Sequence, residues 1–187
     1  MSKSTQHLRL EHERVFEVLA AFSVYLERAR ADESSDSREV AGVLEFLIES
    51  LLLRHEEKEE EVLLPELANR HDWSAHGLVD KVREEHREAR KLMHQMRVQM
   101  HGVEDWTKSE RGLFLSAAER WASFLRGHMN REEECLFPLI DERLSSEVDA
   151  TVLATFERID QDYVGSSDAE MLKKSKDVFV QKYAPAS

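Results

Sequence analysis

Two similar strings stand 73 residues apart in this chain and constrain what it can fold into. HEEKEEEVLLPEL covers residues 55–67, and HMNREEECLFPLI covers residues 128–140. Both contain His, a Glu four places later, then Leu and Pro. Two further histidines, His12 and His86, are separated by a similar 74 residues. These offsets predict that most of the chain consists of two copies of one helical hairpin.

Apolar residues recur at helical spacing along four long segments. The segments run from about residue 5 to 30, from 37 to 70, from 75 to 102, and from Thr107 or Ser109 to about 143. Asp36 with Glu39, and Thr107 with Glu110, have the spacing of a capping box. Pro65 predicts a kink near the end of the second segment, because it cannot donate the helical hydrogen bond to Glu61.

Short connections between long helices are typical of antiparallel neighbours. The predicted fold is therefore all-α, an up-down-up-down four-helix bundle with one or two short C-terminal helices. We expect residues 1–143 to form the bundle and residues 144–187 to form a helical extension packed on it. Gly occurs six times and Pro three times, too few for a fold made of many strands and turns.

Charge and cysteine content exclude several classes of function. The formal net charge of −12 argues against binding to a nucleic-acid backbone or an anionic membrane. No apolar run approaches the ~18 residues of a membrane span, and the first residues have no signal-peptide core. A single Cys excludes an internal disulfide, so we expect a cytoplasmic protein.

The four repeated histidines are expected at one height in the bundle. In an antiparallel hairpin, residues equally far from the connecting loop lie side by side. Counting from the predicted loops brings His12, His55, His86 and His128 to about the same level. The other histidines of the middle segments, His71, His76, His94 and His101, have no repeat partner and are expected to be structural, with His94 the best candidate for an outer contact.

Within a helix, residues four apart lie on one face, so His55 with Glu59, and His128 with Glu132, can each point at one centre. Four imidazoles and two carboxylates are too many donors for one tetrahedral zinc. They suit two metal ions, with each Glu bridging and each ion held by two His. Imidazole and carboxylate together favour iron, and manganese second.

A single His–Glu pair of this spacing is weak, and His7 with Glu11 is expected to be a chance match. The alternative for each inward His is a core residue bonded to a carbonyl. Two ionised Glu inside an apolar bundle would then cost several kcal/mol without a cation. The Glu-x-x-His of ferritin-like bundles and the HExxH of zinc proteases are both absent from the sequence. Cys135, one turn beyond Glu132, is expected to be a small buried residue.

The order His, HxxxE, His, HxxxE resembles the hemerythrin-like, HHE cation-binding family over roughly residues 5–143. The resemblance implies a non-haem di-iron centre with an oxo or hydroxo bridge. The implied ligands are His12, His55, Glu59, His86, His128 and Glu132. Oxygen-carrying hemerythrins have a fifth His, whereas this chain has Arg90 four places after His86 and Val82 four before it. The repeat favours Glu132 over Glu133 as the second carboxylate.

The symmetric set of four His and two Glu is more similar to bacterial di-iron proteins implicated in nitric oxide stress and iron–sulfur repair. It is also similar to the iron- and oxygen-sensing domain of a eukaryotic F-box protein. The resemblance implies a protein that binds, senses or turns over O₂, NO or peroxide. A sensor acting through an unknown protein partner, and a metal-free helical interaction module, remain as alternative hypotheses. The sequence shows no catalytic residue beyond the ligands.

Overall fold

A computed structural model describes residues 1–31, 40, 43–45, 47, 52–68, 73–100, 107–163 and 167–185. All regular elements in these ranges are helical, which confirms the predicted all-α class. They are α1 (Lys3–Ala31), α2 (Leu53–Glu57), π1 (Lys58–Leu63), α3 (Leu64–Ala68), α4 (Trp73–Gln99), α5 (Lys108–Arg131), π2 (Glu132–Leu136), α6 (Phe137–Arg143), α7 (Ser146–Tyr163) and α8 (Ser167–Lys182). The residues at the α2–π1–α3 and α5–π2–α6 junctions have right-handed helical dihedral angles, so each set forms one continuous helix.

Side-chain contacts show that consecutive long helices run antiparallel. In each pair, the contacts move back along one helix as they move forward along the other, and the first helix is related to the fourth in the same way. The contacting residues are His7–Lys58 and His12–His55 between the first and second long helices, and Glu56–Arg90 and Ala68–His76 between the second and third. They are His86–Glu132 and Gln95–Arg120 between the third and fourth, and Arg30–Glu119 and His12–Glu132 between the first and fourth. This is the up-down-up-down topology that the sequence predicts.

The predicted capping box at the start of α5 is confirmed. The Thr107 side chain accepts a hydrogen bond from the Glu110 backbone N–H, and the Glu110 carboxylate accepts one from the Thr107 N–H. Both bonds satisfy donors that the first helical turn leaves without an intrahelical partner. The other predicted box, Asp36 with Glu39, lies outside the described residues.

A widened turn precedes each proline of the repeated strings, where the sequence predicted only a kink at Pro65. The Leu64 N–H donates to the Glu59 carbonyl, and the Phe137 N–H donates to the Glu132 carbonyl, five residues back in each case. Proline lacks an N–H, and its ring collides with the carbonyl four residues earlier in an α-helix. A π turn moves that carbonyl aside, so the helix continues past Pro65 to Ala68.

The two C-terminal helices pack on α1. Asp149 of α7 accepts hydrogen bonds from the Lys3 and Ser4 backbone N–H groups, and so caps the first turn of α1 with a negative charge. Phe179 of α8 and Tyr183, the residue after its end, contact the Tyr25 ring. The division into domains at residue 143 stays a prediction.

The apolar core has two parts, separated along the bundle axis. On each long helix, the apolar residues on one side of the repeated His or Glu belong to one cluster, and those on the other side belong to the other cluster. On α1, Leu8 and Val15 lie in different clusters, and so do Met129 and Leu136 on α5–π2. The level between them carries the polar residues described below. None of the described helices combines the length and the apolar character that a membrane span requires.

Candidate metal centre

Six side chains meet at the level between the two core clusters. They are the six residues that the sequence singles out: His12, His55, Glu59, His86, His128 and Glu132. Each is at most 5% exposed. They come from all four long helices, and the equal height predicted for the four histidines is confirmed. The π turns begin at or one residue before the two Glu, so the widened backbone presents these carboxylates to the centre.

Glu132 is the hub of the arrangement, because its carboxylate faces all four imidazoles. The distances from its oxygens to the Nε2 atoms are 2.9 Å for His128, 3.2 Å for His12, 3.6 Å for His86 and 4.0 Å for His55. Glu59 lies across from it, 3.1 Å from His86 Nε2 and 3.6 Å from His55 Nε2. All four histidines therefore turn the same ring nitrogen toward the two carboxylates.

Ligand atoms lie close enough for two metal positions that share Glu132. One group contains Glu59, His86, His128 and Glu132, and the other contains His12, His55 and Glu132, with the atoms of each group within 4.8 Å of one another. His12 Nε2 and His55 Nε2 are 3.0 Å apart. This spacing suits two nitrogens that bind one ion.

Five donor atoms of the centre lack a hydrogen-bond partner in the described part of the chain. Both oxygens of Glu59, both oxygens of Glu132 and Nε2 of His86 are buried without a hydrogen-bond partner among the described residues. Buried polar atoms are almost always paired, and an unpaired buried charge is expensive. The donor set thus fits a cation, and the burial of its atoms is accounted for once one is bound.

The electrostatics of the metal-free centre also indicate that the donor set fits a cation. Burial opposes charge on His86, but the carboxylates of Glu132 and Glu59 override it and raise the His86 pKa to about 12. Burial likewise opposes charge on Glu132, yet His128 and the other imidazoles hold its pKa well below the usual range. Without a metal, protons must balance the carboxylates, and a cation that binds there displaces them.

A ring of four outer carboxylates (Glu11, Glu60, Glu85 and Glu133) holds the opposite nitrogens of the imidazoles. Each accepts a hydrogen bond from one Nδ1–H: His55 to Glu11 at 2.9 Å, His86 to Glu60 at 2.8 Å, His128 to Glu85 at 3.0 Å and His12 to Glu133 at 2.8 Å. Such partners fix the tautomer and ring orientation of metal-binding histidines. Here they direct every Nε2 toward the centre.

Comparison with known proteins decides the family. The sequence profile of the Hemerythrin HHE cation binding domain matches residues 3–140. The chain belongs to this family. No curated protein and no solved structure matches it significantly. Membership in the HHE family implies metal binding, commonly of iron, and the buried His and Glu groups of this chain could hold such an ion.

The HHE profile matches a second time, over residues 78–179. This match starts 75 residues after the first, close to the offset between the two hairpins. The outer carboxylates follow the same repeat, since Glu11 and Glu85 precede His12 and His86, and Glu60 and Glu133 follow the ligand-position Glu. The duplication therefore extends beyond the six central residues, and the repeat was the signal that could have predicted the outer ring.

From their sequence, the acidic runs EEKEEE and REEE of this HHE domain are expected to be mostly solvated, with only Glu59 and Glu132 pointing inward, but two further residues of the first run are buried. Lys58 is fully buried and Glu56 is 7% exposed. Lys58 Nζ forms an ion pair with Glu11 and lies 2.6 Å from Asp160 and 3.2 Å from His7. The buried ammonium faces this cluster rather than the metal centre, because α7 covers it from outside.

The His7–Glu11 pair has a role, although it does not join the centre. His7 Nε2 lies 3.0 Å from Asp160 and 3.6 Å from Glu11, within the Lys58 cluster. Glu11 in turn bonds His55, so this pair, expected to be a chance match, is one contact away from the six central residues.

The stability of the metal-depleted protein should depend on pH through His7. The hydrogen bond to Asp160, aided by Glu11, raises the His7 pKa from 6.5 to about 9. A raised pKa stabilises the fold fully below the unfolded value, and this contribution is lost as pH rises through about 9. We expect His7→Gln to lower the urea midpoint at neutral pH and to have a smaller effect above pH 9.

The exposed His94 on α4 provides the control. His94→Gln should leave the urea midpoint unchanged across the same pH range. An effect of His7→Gln that is equal at neutral and alkaline pH would show that His7 contributes by packing, not by charge.

Other predicted residues fall outside the HHE centre. Cys135 is exposed rather than buried, because π2 turns less per residue than an α-helix and rotates it off the face of Glu132. His94 is exposed, so it is not an outer contact of the centre. His76 bonds the Ala68 carbonyl at 2.9 Å, as expected of a structural residue. His71 and His101 lie outside the described residues.

Proposed function

We propose that this HHE-family protein holds two iron ions and uses them to bind, sense or turn over a small ligand such as O₂, NO or peroxide. Iron is favoured over manganese by the mixture of imidazole and carboxylate donors. A role in nitrosative or oxidative stress is part of the proposal, by analogy with the branch that the ligand pattern resembles. The observation that carries the proposal is the buried, unpaired set of oxygens on Glu59 and Glu132, faced by four Nε2 atoms.

The distances support one arrangement of the ions. The His12 and His55 nitrogens are 3.0 Å apart, and the His86 and His128 rings have centroids 4.8 Å apart. Each hairpin would thus supply the imidazoles of one metal position. Glu132 would complete both positions, and Glu59 would complete the position of His86 and His128.

The donor count favours binding of an exogenous ligand. Four imidazole nitrogens and two carboxylates offer fewer donor atoms than two octahedral ions take. Bound iron would supply redox chemistry and open positions for a diatomic molecule or peroxide. The protein's own residues orient the nitrogens through the outer carboxylates, and the two core clusters keep bulk water from the centre.

The test is metal analysis with an absorption spectrum, on protein reconstituted anaerobically with ferrous iron and then exposed to air. We expect about two irons per chain and charge-transfer bands that bleach on reduction. Mixing the reduced protein with O₂, NO and peroxide in turn would then show which ligand perturbs the spectrum and whether any is consumed. Binding without consumption would favour the sensing hypothesis.

Two histidines on α4 make a matched control. His86→Gln removes a residue of the centre, whereas His94→Gln changes an exposed side chain eight places further along the same helix. We expect the first to reduce iron content and the second to leave it unchanged. Protein that binds no stoichiometric metal after reconstitution would overturn the proposal and support the metal-free interaction module.

A further inference from the structure

The two halves of the centre differ in what lies behind their outer carboxylates. Lys58 and Arg131 are repeat counterparts, 73 residues apart, and each pairs with the outer carboxylate of its own hairpin. Lys58, behind Glu11, is fully buried. Arg131, whose Nε lies 2.8 Å from Glu85, is 47% exposed. The two repeat positions therefore both carry a positive charge, but one side chain is buried and the other is half-exposed.

Helix α7 creates this difference. Its Asp160 lies 2.6 Å from Lys58 Nζ and 3.0 Å from His7 Nε2, and its Phe156 ring packs on His7 and below the Lys58 ammonium. Phe156 is itself fully buried. A continuous series of polar contacts thus runs from α7 through Lys58 and Glu11 to Nδ1 of His55.

We propose that α7 is a positioning element for one of the two metal positions, acting through Asp160, Lys58 and Glu11 on His55, so that the two positions are inequivalent. The inference rests on the proposed function, since it assigns a role toward the bound ions. Asp160 and Glu11 are positioning residues, because they act on the centre only through the His55 imidazole.

The energetic reason is that each member of the series needs the next. A buried ammonium must be paired, and Asp160 and Glu11 share that task. When Asp160 loses its charge, Lys58 relies on Glu11 alone and draws that carboxylate away from His55. The imidazole then loses the partner that fixes its ring. Loss of such an outer partner typically weakens metal binding about 10–100-fold.

The experiment compares stepwise binding of Fe²⁺, and separately Co²⁺, by wild-type protein and three variants in competition with a chromophoric chelator. Glu11→Gln should lower the affinity for one of the two ions at least about 10-fold, and Asp160→Asn should lower the affinity for the same ion by a smaller factor. Glu85→Gln should lower the affinity for the other ion. Glu157→Gln, an exposed change on α7, is the matched control and should weaken neither.

Two spectroscopic measurements separate positioning from a general loss of stability. In ⁵⁷Fe Mössbauer spectra of fully loaded Asp160→Asn protein, only one of the two iron components should change. In metal-free protein, long-range ¹H–¹⁵N spectra should show a shift of the His55 ring nitrogens and unchanged His128 nitrogens. The second measurement needs no metal, so it tests the inference even if the proposed function fails.

The outcomes are distinct. Wild-type protein that binds no metal overturns the proposed function, and the His55 resonances then decide whether α7 still orients that ring. Suppose instead that wild-type protein binds two ions but Asp160→Asn behaves as Glu157→Gln does, or that Glu11→Gln and Glu85→Gln lower the affinity for the same ion. Either result overturns the inequivalence of the two positions, while the di-iron proposal stands.

Discussion

Glu132→Gln should abolish binding of both metal ions, with an affinity loss larger than the ~10–100-fold cost typical of an outer partner. The reason is that the Glu132 oxygens lie 2.9–4.0 Å from the Nε2 atoms of all four histidines. Glutamine has nearly the same shape, but it replaces a charged oxygen donor with an amide nitrogen that cannot bind a cation. Iron content and chelator competition measure the loss.

The EEE triplet offers its own controls. Glu133 accepts from His12 Nδ1, so Glu133→Gln should cost about 10–100-fold at one position. Glu134 is exposed, and Glu134→Gln should have no effect. A larger loss for Glu133→Gln than for Glu132→Gln would show that the metal-binding carboxylate is one residue later than the repeat predicts.

Lys58→Met should lower the free energy of unfolding of the metal-depleted protein by about 3–5 kcal/mol, the usual cost of removing one partner from a buried charge cluster. The methionine fills most of the space, so the loss is mainly electrostatic. It removes the ammonium against which Glu11 and Asp160 both lie, and leaves them only the His7 imidazolium within the cluster. Urea unfolding in the presence of chelator measures the change.

Lys91→Met is the matched substitution on the surface. The Lys91 side chain is 64% exposed, and its ion pair with Glu88 is also on the surface, so the change should stay within about 0.5 kcal/mol. A Lys58→Met protein as stable as this control would mean that the carboxylates around position 58 take up protons at little cost. The charge cluster would then not contribute to the fold.

The central part of the site could be predicted from the sequence because a single chemical pattern repeats there. His12, His55, His86 and His128 were brought to one height by counting from the loops, because residues equally far from a connecting loop lie side by side in an antiparallel hairpin. Glu132 was preferred to Glu133 because only Glu132 matches Glu59 in the repeat. The structure places Glu132 between the imidazoles and Glu133 behind one of them.

The burial of a residue could not be predicted in this way where it depends on a change of helical period or on contact with a distant segment of the chain. Cys135 was expected inside because an α-helical period was applied to a stretch that is π-helical. Lys58 lies in an acidic run expected to be mostly solvated, and its burial could not be predicted because periodicity shows which face of a helix is polar, not which helix covers it. The cover is α7, about a hundred residues later in the chain, and nothing near Lys58 in the sequence indicates that contact.

The way the centre is divided between the hairpins has a mechanical consequence. His12 and His55 belong to the first hairpin and meet Glu132 of the second, while His86 of the second meets Glu59 of the first. A bound ion would therefore act as a cross-link across the interface between the two copies. Pulling the hairpins apart would rupture metal–ligand bonds as well as separate apolar surfaces, so in the loaded protein resistance to force would be concentrated along this seam.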